Sequence, residues 1–174
     1  MPVTAENVSH CFAINGNSAN PEVVGIQGIV DLYRKTLPSI GLGGPTLFGP
    51  LLTEFKNYVT SMVGRFSYNI MLLLTDGAIH DMPQTIDLIC QLADLPCSII
   101  IVGIGNANFD AMEDLDGDGG RLYNSANIPA SRDIVQFVQL NKALARGDLA
   151  EQVLKEVPTQ FCAHMKQIGY NPIP

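Results

Sequence analysis

Asn69 to Gly77 is the stretch that most constrains the fold of this chain. It reads Asn-Ile-Met-Leu-Leu-Leu-Thr-Asp-Gly, an uninterrupted apolar run that stops at Thr75-Asp76-Gly77. Apolar residues without polar alternation predict a strand that is buried on both faces, as in the middle of a parallel sheet. Asp76-Gly77 then supplies turn chemistry and places a carboxylate at the carboxyl end of the strand. Ligands of open α/β sheets bind at that edge.

A second apolar run, Ser98 to Gly105, repeats this pattern and also ends in glycines. The residues between the two runs suffice for one helix, which we expect over residues 83–94. The sequence therefore predicts two adjacent parallel strands joined by a right-handed helical crossover. The predicted fold class is α/β, with a mainly parallel, Rossmann-like sheet flanked by helices.

The rest of the chain supplies further elements. Hydrophobic spacing predicts helices from Pro21 to Leu37, from Thr46 to about Gly64, and from about Asp148 onward. Asp81 and Pro83 are typical of a helix cap and an early helical proline. Pro158 should kink the last helix or split it in two. Two more strands are predicted, over residues 8–14 and 133–140.

Composition narrows the classes of function. The length of 174 residues indicates a single domain, over residues 1–174, with 47% hydrophobic and 16% charged residues. A net charge of −7 without a lysine or arginine cluster argues against a nucleic-acid partner. The four cysteines lack zinc-like spacing and are typical of buried thiols in a reducing compartment, so we expect a cytoplasmic protein.

Catalytic and nucleotide-binding patterns are poorly matched. Gly103 and Gly105 follow a strand as in a dinucleotide fingerprint, but Asn108 replaces its third glycine. The favoured interpretation of His80 is a solvated loop residue, because no nucleophile partner is evident. We therefore expect no catalytic residues and no enzymatic activity.

Asp114, Asp116 and Asp118 match the opening positions of a calcium-binding loop. The twelfth position of such a loop should be a bidentate glutamate, and it is Ser125 here. We interpret the segment as an acidic, glycine-rich surface turn, with weak cation binding as the alternative.

Thr46 and Asp76 are the candidate metal ligands. Each is predicted where a loop leaves the carboxyl edge of the sheet, so a hydroxyl and a carboxylate could together offer oxygen ligands to Mg²⁺. A helix cap by Thr46 and an Asx-turn at Asp76 explain the same residues equally well. Both interpretations stay open at this point.

Several segments together resemble the copine family, specifically its C-terminal von Willebrand factor A-type domain. The similarity extends over about residues 8–169. The segments that carry it are Gly44-Pro45-Thr46, Leu74-Thr75-Asp76-Gly77 with Asp81, Ser98 to Gly105, Leu115-Asp-Gly-Asp118 and Arg132-Asp-Ile-Val-Gln-Phe-Val138.

The resemblance implies a metal-ion-dependent adhesion site that includes Thr46 and Asp76. Family members also carry an Asp-x-Ser/Thr-x-Ser motif on a central first strand, which this sequence does not contain. We therefore expect a truncated domain without its N-terminal strands, an incomplete site that binds Mg²⁺ or Mn²⁺ weakly, and apolar sheet edges available for self-association. Ca²⁺ is expected only through domains outside this chain.

The implied function is that of a protein-interaction module in a calcium-dependent phospholipid-binding protein. It would recruit cytosolic proteins as partners, with peripheral membrane contact only through other domains. An alternative is the interaction domain of a copine-related RING-type ubiquitin ligase, although this chain has no RING-type cysteine and histidine set.

Overall fold

A three-stranded parallel sheet forms the centre of the molecule. The computed structural model describes residues 9–41, 43–117 and 119–170. The strands are β1 (Asn69–Thr75), β2 (Cys97–Gly103) and β3 (Val135–Gln139), in the order β1-β2-β3. Asn69 pairs with Cys97 and the register continues to Thr75 opposite Gly103. This pairing confirms the predicted parallel neighbours.

Seven α-helices and a short 3-10 helix surround this sheet within the described residues. The 3-10 helix covers Leu37–Ser39. The α-helices are α1 (Gly25–Thr36), α2 (Gly49–Ser61), α3 (Met82–Leu92), α4 (Asp110–Asp116), α5 (Leu140–Arg146), α6 (Leu149–Leu154) and α7 (Val157–Gln167). None of the described helices is both long and apolar enough to cross a membrane.

The core lies between one face of the sheet and helices α2, α3 and α4. All residues of β2 are buried, because β1 and β3 flank it and helices cover it. The main buried apolar side chains are Phe48, Leu52, Val59, Leu73, Leu88, Ile89, Leu92, Ile99, Ile101, Met112, Leu115 and Val135. Removal of this much apolar surface from water is the main stabilising contribution to the fold.

β1 departs from the prediction of a strand that is buried on both faces. Ile70, Leu72 and Leu74 are 49%, 60% and 60% exposed, whereas Leu73 and Thr75 are buried. The prediction was wrong because an apolar run fixes which side chains can be buried, while the elements that cover a face are set by topology. Among the described strands β1 lies at one edge of the sheet, in agreement with the expected apolar edge.

The predicted strand over residues 8–14 is also wrong for the part that is described. Residues 9–14 form bends and irregular structure, and Val8 lies outside the described residues. No strand of the described sheet pairs with this segment, and an isolated strand is not stable in water.

Helix boundaries agree better with the prediction. The first helix begins at Gly25 instead of Pro21, and the second at Gly49 instead of Thr46. The predicted split near Pro158 is confirmed, since α6 ends at Leu154 and α7 starts at Val157. Pro158 lies in the first turn of α7, where a backbone N–H has no helical partner, so the N–H that proline lacks is not missed there.

Arg132 holds together the amino-terminal end of the sheet. Its buried guanidinium donates hydrogen bonds to the backbone carbonyls of Leu95, Cys97 and Gln160 and to the hydroxyl of Tyr68. The segments before β1 and β2 are thereby joined to α7. Several donors in a planar group suit arginine to this role better than lysine.

Candidate functional site

Two loops meet at the carboxyl edge of the sheet and carry the predicted metal ligands. The backbone N–H of Thr46 donates to Nδ1 of His80 over 3.1 Å, and the backbone N–H of His80 donates to the carbonyl oxygen of Thr46 over 3.0 Å. These two bonds fix the segment after Gly44-Pro45 against the loop that follows β1. Thr46 lies between the 3-10 helix and α2 and Asp76 lies in the turn after β1, and these bonds bring the two segments together.

Asp81 strengthens the same junction. Its carboxylate accepts hydrogen bonds from the backbone N–H groups of Phe48 (3.0 Å) and Gly49 (2.7 Å), at the start of α2. Asp81 occupies the position before α3, as predicted for a cap, but its side chain makes no capping bond to that helix. A carboxylate at a helix amino terminus is stabilised by unpaired N–H groups and by the helix dipole. The two helices are thus joined through one side chain.

The close approach of the two helices explains a glycine at the start of α2. A Cβ atom at Gly49 would lie 2.7 Å from Cδ of Gln84 and 2.9 Å from Oδ2 of Asp81. A side chain at this position would force the ends of Gln84 and Asp81 to shift, and a shift of Asp81 would weaken its bonds to the start of α2. Glycine therefore suits position 49 because it leaves room for the contact of Asp81 with the start of α2.

The side chain of Asp76 lies exposed beside this junction. Its Oδ1 accepts a long hydrogen bond of 3.4 Å from the N–H of Ala78, which corresponds to the Asx-turn interpretation. Gly77 follows at φ 104°, and a Cβ there would lie 2.8 Å from the carbonyl oxygen of Asn108. The turn after β1 thus requires glycine, and it leaves the Asp76 carboxylate accessible.

A metal role for Thr46 and Asp76 stays a prediction. Within the described ranges, no group of three or more histidine, cysteine, aspartate or glutamate side chains could hold a metal ion. One hydroxyl and one carboxylate fit a Mg²⁺ ion only if waters or another molecule supply the other ligands of its octahedron.

The acidic segment lies elsewhere, at the end of α4. Asp114 is exposed on this helix, whereas Asp116 is buried and accepts a 2.7 Å hydrogen bond from the N–H of Phe137 in β3. Gly117 ends the helix in a left-handed conformation. Asp118 lies outside the described residues. The carboxylate of Asp116 therefore helps to join α4 to the sheet, and weak cation binding at this segment stays a prediction.

The contribution of His80 was missed in the sequence. It is exposed, as expected for a loop residue, but its ring is held by the backbone of Thr46. A sequence signal for this contact is lacking, because Thr46 and His80 are 34 residues apart and meet only through the fold.

The fold and this loop arrangement define a class of protein. A parallel sheet flanked by helices, with hydroxyl and carboxylate residues in loops at its carboxyl edge, is typical of a von Willebrand factor A-like domain.

Comparison with known proteins identifies the family. The family profile described as Copine matches residues 1–173. Copine-A of Dictyostelium discoideum is 44% identical over 177 residues, which cover 100% of this chain and 29% of that protein. Protein BONZAI 1 and Protein BONZAI 2 of Arabidopsis thaliana are 44% and 43% identical, over 96% and 95% of this chain and 30% and 29% of their own lengths. The chain belongs to the copine family, and it spans 29–30% of the length of these relatives.

Proposed function

We propose that this chain is a protein-interaction module of a copine-like protein that binds phospholipids in a calcium-dependent manner. In that role it binds cytosolic proteins and brings them to membranes, while domains outside the chain contact the lipid. Membership of the copine family supports this proposal. The module itself acts without catalysis and without nucleic acid.

The joined loops at the carboxyl edge are the observation that carries the proposal. Four hydrogen bonds from or to His80 and Asp81 fix this surface before any partner arrives. A surface that is already ordered loses little conformational entropy on binding. The exposed Asp76 carboxylate, and Thr46 in the segment joined to the same loop, are then the groups that we expect a partner to contact.

A metal ion bound at this surface would add a further contact to the partner. Mg²⁺ or Mn²⁺ held by Asp76 and Thr46 would keep open positions for an acidic group of the partner. Because this chain supplies so few ligands, the ion binds weakly until the partner completes its coordination. Calorimetric titration of the chain with MgCl₂ or MnCl₂ should therefore show no saturable site at micromolar metal.

The test compares variants at the proposed surface with a matched control. Wild type, Asp76→Ala, Thr46→Val and Asp31→Ala are immobilised, and cytosolic proteins retained in Mg²⁺ or in EDTA are quantified by mass spectrometry. Asp31 is an exposed carboxylate on α1 that bonds only within its own helix, to Gln27, among the contacts described. The leading partner is then purified, and its affinity for each variant is measured.

The proposal requires that Asp76→Ala and Thr46→Val weaken this partner at least about tenfold, which corresponds to about 1.4 kcal/mol. Asp31→Ala should bind as wild type does. Equal affinity of all four proteins, or retention that is unaffected by EDTA and by Asp76→Ala, would place partner binding elsewhere on the molecule.

A further inference from the structure

A cavity of about 520 Å³ lies at the amino-terminal end of the sheet, opposite the Thr46–Asp76 edge. Three segments form it: the residues between α2 and β1, the turn between α3 and β2, and helix α7 with the residues after it up to Tyr170. Its lining is mainly apolar and aromatic, with Phe66, Tyr68, Pro96, Phe161, Met165 and Ile168 among the contributing residues. This volume is in the range of sites for small molecules.

Two polar groups at the cavity have no partner. Oγ of Ser67 and Nδ1 of His164 are buried and make no hydrogen bond to any residue that the structure describes. Both residues line the cavity, and His164 is only 4% exposed. An unpaired buried polar group destabilises the folded chain. By contrast, the neighbouring Tyr68 hydroxyl is paired with the Cys97 carbonyl and Oγ of Ser98.

The Ser67 hydroxyl is the unpaired group that can reorient most easily. Rotation of Ser67 about its Cα–Cβ bond moves Oγ between staggered positions at little energetic cost. A hydroxyl on a bound molecule can then supply the partner that the folded chain lacks. Such a bond is made only in the complex, so it favours binding.

The charges around the cavity favour a neutral molecule. Burial, and secondarily the positive charge of Arg132, lowers the pKa of His164, so its ring is neutral near pH 7. The two charged residues at the cavity, Arg65 and Asp94, are exposed and opposite in sign. Water screens these exposed charges, so they would compensate a charged molecule only weakly for the hydration that it loses on burial.

We propose that this cavity binds a small, neutral, mainly aromatic molecule that carries one hydroxyl group. The aromatic body packs against Tyr68 and Phe161, whose rings already meet edge to face at 5.1 Å between centroids. The hydroxyl pairs with Oγ of Ser67, which rotation about one single bond can turn toward it. This site lies apart from the proposed partner-binding edge and does not depend on it.

The test uses 2-naphthol and naphthalene as probes of the 174-residue chain. Their affinities and binding positions are read from amide shifts in ¹H–¹⁵N NMR spectra. We expect shifts centred on Tyr68, His164 and Ile168, and an affinity for 2-naphthol about 3- to 10-fold higher than for naphthalene, the gain of one hydrogen bond.

Two serine variants isolate the polar contact. Ser67→Ala should reduce the preference for 2-naphthol to less than about twofold, without loss of the native spectrum because its hydroxyl is unpaired. Ser61→Ala is the matched control, since this exposed hydroxyl bonds to the Tyr58 carbonyl outside the cavity. The Ser61→Ala variant should keep the full preference for 2-naphthol over naphthalene.

Three results would overturn the proposal. The first is an absence of shifts around the cavity with either probe. The second is a set of shifts centred on Leu72 in the exposed face of β1, which would indicate non-specific apolar adsorption. The third is a preference for 2-naphthol that Ser67→Ala leaves intact.

Discussion

Replacement of Asp81 by alanine removes only a carboxylate, but it should lower the free energy of unfolding of the chain substantially. The change removes the acceptor for the N–H groups of Phe48 and Gly49, both of which are buried residues. Hydrogen bonds to a charged group contribute about 1.5–3 kcal/mol each, and loss of a helix N-cap costs about 0.5–2 kcal/mol. Partial access of water to the helix end reduces the sum, so we expect a loss of about 2–4 kcal/mol in the free energy of unfolding.

Urea denaturation followed by far-UV circular dichroism measures this loss, since the chain has no tryptophan. A slope of about 2 kcal/mol per molar urea, the middle of the range for small proteins, converts this loss into a midpoint lower by about 1–2 M. Asp81→Asn keeps one neutral acceptor and should lose about half as much. The slope of the transition should stay unchanged in both variants.

Asp87→Ala is the matched control. The Asp87 carboxylate also accepts two hydrogen bonds, from the N–H and the hydroxyl of Ser125, but these contacts are exposed. Water replaces them, so the loss should stay below about 1 kcal/mol. Equal losses for Asp81→Ala and Asp87→Ala would contradict this prediction, because burial of the hydrogen-bond donors is what distinguishes the two sites.

Three further predictions concern other parts of the molecule. Burial raises the pKa of Cys97 to about 12, so Cys97 should resist iodoacetamide at pH 8 in the native chain, whereas the exposed Cys162 should react. Mass spectrometry measures the labelling of each cysteine, and equal rates for both would contradict the burial of Cys97. The pKa of His164 is lowered by burial and by Arg132, so the stability that its neutral ring contributes is full above pH 6.5 and declines as the pH falls. His164→Gln should therefore make the urea midpoint depend less on pH between pH 6.5 and 5. An unchanged pH dependence of the midpoint would count against this. Leu72→Glu should reduce self-association in sedimentation velocity, because it places a charge on the exposed face of β1; an unaltered association would assign it to another surface.

The parallel pair β1 and β2 could be predicted because its signal is local. Each strand is one apolar run, and the connection between them is long enough for a single helix. The same rule failed for the outer face of β1, where Leu72 and Leu74 are exposed. Burial of a strand face depends on elements that are distant in sequence, and an apolar run contains no information about them.

In the candidate site, too, some features could be predicted from the sequence and others could not. Loops carrying Thr46 and Asp76 were expected at one sheet edge, because the carboxyl ends of parallel strands meet there. The contacts of His80 with Thr46, and of Asp81 with Gly49, could not be predicted. They link residues more than 30 positions apart through backbone N–H groups, which all residue types except proline possess.

The contacts of Arg132 have a consequence for the order in which the chain folds. They bridge 28 to 64 sequence positions, the longest one reaching back to Tyr68. Closure of such long loops is entropically unfavourable until nearer contacts have formed. The strand–helix–strand unit from β1 to β2 is therefore expected to form first, with Arg132 joining it late. Contacts made after the transition state slow unfolding without accelerating folding. One buried guanidinium would then set how long the native chain persists, rather than how quickly it is reached.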